Sequence, residues 1–357
     1  MEKEISEDFI QLSNLSITNL LHCLKRANVK DAFITEIGEK EYSKIVKDMR
    51  SESTIIGMRD FHNWIKLVLI SNVITHYLQN NQNKSIALLD IAVGRGGDLA
   101  KWNKAGVDYV YGFDASDKSI NSTDPDDPGA KERLSNFKGL RIKDVQFEVG
   151  NALQPNNGIS NFLKKNSLPG FQIVSCQFAL HYFFKTESTV KTVLKTVSDN
   201  LVKGGYFIGT TIDSEKVKLL FKPIKEKVYT SKIFRIQRNF PKTLTKDFGN
   251  EYSFTIFDTQ DKNNYFNTIG ISTEYLVNFK KLEEIANEFG LIPVKLNFFE
   301  DYQMSKFKRF TETKKVNNSF EDIYTIGKWT PKQDSRVLSP EEYQLNNLYS
   351  TFVFQKR

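Results

Sequence analysis

The sequence is poor in the residues that would mark a secreted, membrane-spanning or metal-dependent protein. Only two cysteines, Cys23 and Cys176, occur in 357 residues. They stand far apart with apolar neighbours, which predicts buried thiols in a reducing compartment and excludes a cysteine-ligated metal centre. No apolar run approaches the roughly 18 residues that a membrane helix needs. The chain opens Met1-Glu2-Lys3-Glu4 with no apolar core behind it, so no secretory signal is expected. Internal repeats and low-complexity tracts are absent, as are a Ser-His-Asp order and a cysteine with an activating partner. Hydrolysis through an activated nucleophile is therefore not the expected chemistry.

What is present suits one large domain, or a domain with an appendage: 39% hydrophobic residues and 28 Phe are enough for a sizeable core. The 50 basic residues exceed the 43 acidic ones, a net charge of +7. That excess suits a polyanionic partner, and it equally suits a lysine-rich surface that serves solubility. Residues 1–56 read as polar and mostly helical, with short apolar faces at Phe9, Leu12 and Leu15 and at Leu20, Leu21 and Leu24. A basic stretch, Lys44, Lys47 and Arg50, follows. From Trp64 the positions Leu67, Ile70, Ile74, Tyr77 and Leu78 recur at helical spacing.

Strands then alternate with helices. Short apolar runs predict strands at 86–91, 109–113, 145–149, 171–176 and 206–210. A helix is expected around 97–105, and another over 190–201 that stops at Gly204-Gly205. This order implies a doubly wound α/β sheet. From Ile212 to about Gly270 the pattern turns Lys-rich with strand-like pieces, including 251–257, and reads as an insertion beside the active face. A helix carrying Phe279, Leu282, Ile285 and Phe289 resumes the pattern, and strands near 291–298 and 348–355 close it.

The sharpest motif is Asp90-Ile-Ala-Val-Gly94-Arg95-Gly96-Gly97-Asp98, which leaves a strand and enters a helix. Glycines there let the backbone approach a ligand closely, and helix N–H groups lie beyond them. Asp114 ends the next strand, where an acid accepts the ribose hydroxyls of a nucleoside. A nicotinamide site would want a third glycine that this turn lacks; S-adenosylmethionine, which has no pyrophosphate, does not require it.

The run Met58–Ile70, the turn Asp90–Asp98, the block Gln177-Phe-Ala-Leu-His181-Tyr182-Phe-Phe and Thr273-Glu274-Tyr275 together resemble the mRNA cap guanine-N7 methyltransferases. The similarity covers roughly residues 50–357, and the block after Gln177 is its most specific element. It implies a class I, Rossmann-like S-adenosylmethionine-dependent fold, within which the insertion spans about 213–270; the N-terminal helical extension over 1–50 lies outside the resemblance. It implies methyl transfer from S-adenosylmethionine to N7 of the guanosine cap, with capped RNA (a GpppN 5′ end) as partner. No triphosphatase or guanylyltransferase signature is present, so those activities would sit on other capping-enzyme subunits. The location implied is intracellular: the nucleus for a cellular enzyme, the cytoplasm or virion for a viral one.

Carried over residue by residue, the resemblance places Lys66, Ala92, Gly94, Asp114, Asn151, Gln177 and Tyr182 around the cofactor. It places His62, Asn63, His181, Glu274 and Tyr349 at the guanine, and Arg95, Lys101 and Arg133 at the triphosphate. Ala92 stands where the family has glycine, Asn151 where it has aspartate, His62 for the first of two asparagines and Ile212 for a proline. The segment 121–130 is longer than the family's. No general base and no metal are expected, because guanine N7 carries a free lone pair and the sulfonium methyl is already activated. Each residue also has a plainer reading: a core histidine for His181, a surface acid at a helix start for Glu274, a solvated lysine for Lys66, a helix cap for Asp114. Against the leading function stand a methyltransferase for another RNA base or a small molecule, and a non-catalytic RNA-binding or capping subunit.

Overall fold

Runs of apolar residues buried from both sides set the centre of the molecule. The structure is a computed structural model that describes residues 53–357 except 83–84, 125–126, 245, 259–271, 300–309, 314–317 and 334. The extension over 1–50, with Cys23 and the basic stretch, lies outside the described residues. Five strands, β1 (Ala87–Ile91), β2 (Tyr109–Asp114), β3 (Asp144–Val149), β4 (Phe171–Gln177) and β5 (Leu201–Ile212), pair in parallel. After them come four short strands, β6 (Val228–Thr230), β7 (Phe234–Arg238), β8 (Glu251–Ile256) and β9 (Ser272–Tyr275), and then β10 (Leu291–Pro293) and β11 (Tyr349–Lys356). The main sheet has the order β10-β11-β5-β4-β1-β2-β3, with β11 antiparallel to both neighbours. The strand order reverses between β1 and β4, and in doubly wound sheets ligands bind at the carboxyl ends beside such a reversal.

Alternation along each strand feeds two cores. Leu88, Val110, Ile173 and Ile208 face one core, while Leu89, Tyr111, Val174 and Phe207 face the other. Helices α1 (Ile56–Asn80) and α2 (Leu99–Ala105) cover the first face. The short α3 (Asp117–Asn121) and α4 (Ala130–Ser135) follow β2; α5 (Asn157–Lys165), α6 (Glu187–Asn200) and, after α7 (Ser214–Phe221), α8 (Phe279–Glu288) cover the second face. Near the carboxyl terminus, α9 (Phe320–Ile326) and α10 (Pro340–Asn346) pack back towards α1. No side chain caps α1. Its Met58 N–H instead donates to the buried Glu342 of α10 at 2.9 Å. Glu342 also accepts from the Ser339 N–H at 2.7 Å and pairs with Arg336, tying the end of the chain to the start of α1.

The doubly wound sheet follows the sequence expectation; several boundaries do not. Helix α1 begins at Ile56, a full two turns before Trp64. Gly204-Gly205 does not stop α6, which ends at Asn200; Gly204 (φ 78°) lies within β5, where the register to β4 shifts. The strand expected over 291–298 ends at Pro293, which has no N–H to continue the ladder, and Leu296 makes an isolated bridge to Glu312. The insertion after β5 is α7 followed by a four-stranded antiparallel sheet, β6-β7-β8-β9, and it ends at Tyr275 rather than near 270. Among the described residues no helix is long and apolar enough to cross a membrane.

Candidate active site

The glycine turn leaves β1 in a left-handed conformation. Ala92 (φ 60°), Gly94 (φ 54°) and Gly96 (φ 67°) all have positive φ, and a Cβ added at Gly94 or Gly97 would meet nothing within 4 Å. The turn therefore presents bare backbone to open space. Gly94 N–H donates to Asp114 Oδ2 at 2.9 Å, and Ser116 N–H donates to Asp114 Oδ1 at 2.9 Å, so the carboxylate at the end of β2 is fixed against the turn. Alanine at a left-handed position costs about 1–2 kcal/mol, against about 0.5–1 kcal/mol for the extra chain entropy of glycine. Ala92→Gly is therefore expected to raise the unfolding midpoint by ~1–3 °C. A lowered midpoint would show that the Ala92 methyl is worth more than its strain.

Beneath the turn, Asp98 collects two lysines. Lys66 of α1 reaches it at 2.6 Å and Lys101 of α2 at 2.8 Å, all three side chains being largely buried. Burial alone would raise the Asp98 carboxyl, but the two ammonium groups outweigh it and hold the group down at about 2. Lys101 is shifted down, chiefly by burial. Lys101 thus shares the Asp98 carboxylate with Lys66; its spacing of three residues from Asp98, the residue that opens α2, turns it inward. Asp90, near the end of β1, is 3% exposed, and among the described residues its Oδ1 has no hydrogen-bond partner. Burial first, and then the charge of Asp98, push its carboxyl well above the ordinary range.

At the end of β4, Gln177 Oε1 accepts from the Thr210 hydroxyl at 3.1 Å and its Nε2 donates to Ser175 Oγ at 3.3 Å. The next residue, Phe178, is left-handed (φ 54°) and is held by its N–H to Thr210 O at 2.8 Å. That bend lays its ring on His62, with centroids 4.8 Å apart and 26° between planes. His62 also pairs with Asn346 Oδ1. Burial, only partly offset by the Asn346 bond, pushes the His62 imidazole down to about 3. An unfolded histidine binds its proton near pH 6.5, so acidification from about 6.5 towards 3 favours the unfolded chain through this group. Urea unfolding should show stability falling over that window, with a shallower fall in His62→Asn; equal slopes would contradict the assignment.

Beyond this aromatic wall lies a buried polar cluster built from three elements. Glu274 on β9 is 7% exposed, and its Oε2 accepts from the Tyr252 hydroxyl, the residue directly opposite on β8. His181, in the 3₁₀ turn Leu180–Phe183, places Nε2 at 3.5 Å from the same oxygen. Among the described residues neither ring nitrogen of His181 finds a hydrogen-bond partner, and burial lowers its affinity for a proton although Glu274 opposes this. Burial and the Glu274 charge raise the hydroxyl groups of Tyr252 and Tyr349 well above the ordinary range. Tyr182 is 47% exposed with its ring 4.3 Å from that of His181, and it adds to the field at Tyr349. Glu274 is a buried residue of strand β9, not an acid at a helix start.

Other expected residues are placed differently. Asn63 donates to Arg59 O, a backbone bond within its own helix, at 2.8 Å. Asn151 is exposed, and its Oδ1 accepts from the Leu153 N–H at 2.9 Å, between the exposed apolar side chains of Val149 and Leu153. Arg95 does not present a free guanidinium. It donates to Asp127 O at 2.6 Å and Pro128 O at 3.2 Å, and pairs with the Asp127 carboxylate at 2.7 Å, because Asp127 and Pro128 lie against it. Arg133 reaches Pro128 O at 3.1 Å and Lys118 reaches Asp127 at 3.1 Å, so three cations face one carboxylate. The sequence reading gave no role to Asp90, Asp98, Tyr252, Phe178, Asn346 or Asp127. Only the first two carried a signal, as acids inside the glycine motif.

Known proteins resemble the chain along most of its length. The family model described as the mRNA (guanine-N(7))-methyltransferase domain matches residues 25–357, starting inside the segment set apart above as an extension. An mRNA cap guanine-N(7) methyltransferase of Schizosaccharomyces pombe is 28% identical over 312 residues, 86% of this chain and 78% of that protein. The mRNA cap guanine-N(7) methyltransferase 1 of Arabidopsis thaliana is 29% identical over 323 residues, 86% of this chain and 77% of that protein. In Caenorhabditis elegans, an mRNA cap guanine-N(7) methyltransferase is 35% identical over 179 residues, 49% of this chain and 45% of that protein.

Proposed function

Because the chain belongs to the mRNA (guanine-N(7))-methyltransferase family, we propose that its glycine turn holds S-adenosylmethionine while His181, Glu274 and Tyr349 hold the cap guanine for methylation at N7. The observation that carries this reading is the buried Glu274 carboxylate, fixed by Tyr252 and beside His181, in a chain that also has an open glycine cradle.

The residues present fit the cofactor. The open face at Gly94 and Gly97 admits a ligand against backbone. Asp114 lies where it would take the ribose hydroxyls, Lys66 would meet the cofactor carboxylate, and the orphan Asp90 oxygen would accept from its amino group. When bound, S-adenosylmethionine supplies a methyl group activated by the sulfonium charge. The protein's part is placement. Glu274 would accept from N1–H and the 2-amino group of guanine, and the neutral His181 would donate to O6. This edge-on grip leaves N7 on the far side of the base, turned towards the cradle. Holding N7 in line with the methyl is worth several kcal/mol as proximity, of the roughly 7–11 available to well-oriented reactions. Positive charge develops on the base as N7 is alkylated, so the Glu274 contacts strengthen in the transition state. No side chain has a proton to remove.

The Arg95, Arg133 and Lys118 cluster stays net positive with Asp127 in place and would face the triphosphate; Lys101 would support Lys66 instead. Inosine lacks the 2-amino group, so a cap built on inosine tests the grip. We expect kcat/KM for it to fall by about tenfold or more, one charge-assisted bond's worth. Equal rates on guanosine and inosine caps would remove Glu274 from base recognition.

A further inference from the structure

Residues 222–246 contain eight basic side chains and one acidic, Glu226, so this stretch alone carries the +7 that is the formal charge of the entire chain. It spans β6, β7 and their flanks, with β6 at the free edge of the second sheet. Lys222, Lys225, Lys227, Lys232, Arg235, Lys242 and Lys246 are exposed, while Arg238 turns inward to Phe240 O and Lys225 O. Among the described residues, only Lys232 of the seven exposed cations meets a carboxylate, Glu341 at 3.7 Å. Surface lysines kept for solubility are ordinarily interspersed with acids; these are not.

Beside this strip runs a groove of about 790 Å³, lined by Tyr229, Thr230, Lys232, Tyr343, Gln344 and Asn347 among others. Its two tyrosines are braced. Tyr229 donates its hydroxyl to Gln344 Oε1 at 2.6 Å, and Tyr343 packs edge-on against Tyr324 with centroids 5.5 Å apart. Fixed aromatic rings beside lysines are the equipment with which proteins hold single-stranded nucleic acid, stacking on bases and neutralising phosphates without reading sequence. The groove also adjoins the guanine pocket. Gln344 and Asn347 line it, whereas Asn346 holds His62 and Tyr349 stands beside Glu274, so the end of α10 is a wall common to both. Tyr229 lies two strands and one residue pair from Tyr252, roughly 12 Å by sheet geometry. That gap suits a chain continuing from the cap.

We infer that this groove and its lysine strip bind the single-stranded RNA that follows the cap, an inference that rests on the cap-guanine reading of the neighbouring pocket. The RNA body then adds affinity that a cap dinucleotide cannot supply, and this part of the binding is salt-sensitive.

The test compares the full chain with the neutralised variant Lys225→Gln/Lys227→Gln/Lys232→Gln. Methylation is measured on GpppA and on a short capped RNA, alongside anisotropy of a labelled, uncapped single-stranded RNA. The wild type should show a KM for capped RNA about tenfold below that for GpppA at low salt. The variant should lose this advantage while keeping its kinetics on GpppA. In the anisotropy series the variant should lower the slope of log K against log salt by about 2. Unchanged KM for capped RNA in the variant, or an effect equal on both acceptors, overturns the proposal. If neither acceptor is methylated, the cap reading has failed and anisotropy decides alone: RNA binding lost with the three charges sustains the groove, and absent or equal RNA binding overturns it.

Discussion

Replacing Glu274 with alanine is expected to lower kcat/KM for a cap dinucleotide by about 10²–10³-fold, the loss typical of removing one preorganised charge from a transition state. The size follows from where the carboxylate sits. It is 7% exposed, fixed by Tyr252 and 3.5 Å from His181, so its field is little screened by water. Glu274→Gln keeps an acceptor for the Tyr252 hydroxyl but loses the charge, and it should fall between the wild type and alanine. Alanine also strands that hydroxyl at a cost of about 1–3 kcal/mol, so the thermal midpoint must be measured beside the rates. A cofactor-induced rise in midpoint should survive in both variants, because the cradle does not use Glu274. Near-wild-type rates in a folded Glu274→Ala protein would remove the guanine pocket from the account.

Asp98→Ala should have the largest effect on the fold around the cofactor. Without the acid, Lys66 and Lys101 face each other in a site where their side chains are 16% and 10% exposed. Leaving buried charge unpaired costs about 3–5 kcal/mol. The unfolding free energy in urea should fall by that order, and the midpoint rise on adding S-adenosylmethionine should shrink because Lys66 is no longer held in place. The pH dependence has a definite sign. A carboxyl lowered to about 2 stabilises the native state above its unfolded value of 3.8, and the contribution fades as pH falls from 3.8 towards 2. An Asp98→Ala protein as stable as the wild type would mean that the lysines find solvent instead.

The parts legible in the sequence are those where a local pattern and a tertiary role coincide. Strands β1 and β4 are buried on both faces, so Ala87–Ile91 and Phe171–Gln177 read as apolar runs. The glycine turn reads from composition, since three of its residues need or tolerate left-handed backbone. The second sheet was legible only at Glu251–Ile256. Its other strands are three to five residues long, and Lys-rich flanks mask the alternation of Phe234 and Ile236. Tyr252 could not be found, because its partnership with Glu274 depends on a register across 22 residues. The capture of Arg95 by Asp127 depends on how an irregular loop folds, which has no periodicity to read. The pairing of Lys101 with Asp98 can be read from their three-residue spacing at the start of α2.

The most direct measurement of the central claim is transfer of label from S-adenosylmethionine to GpppA, to capped RNA and to uncapped RNA, followed by digestion to locate the methyl group. The account predicts label on both capped acceptors, at N7 of the cap guanine, and none on uncapped RNA. Label on uncapped RNA, or at any position other than N7, would contradict it.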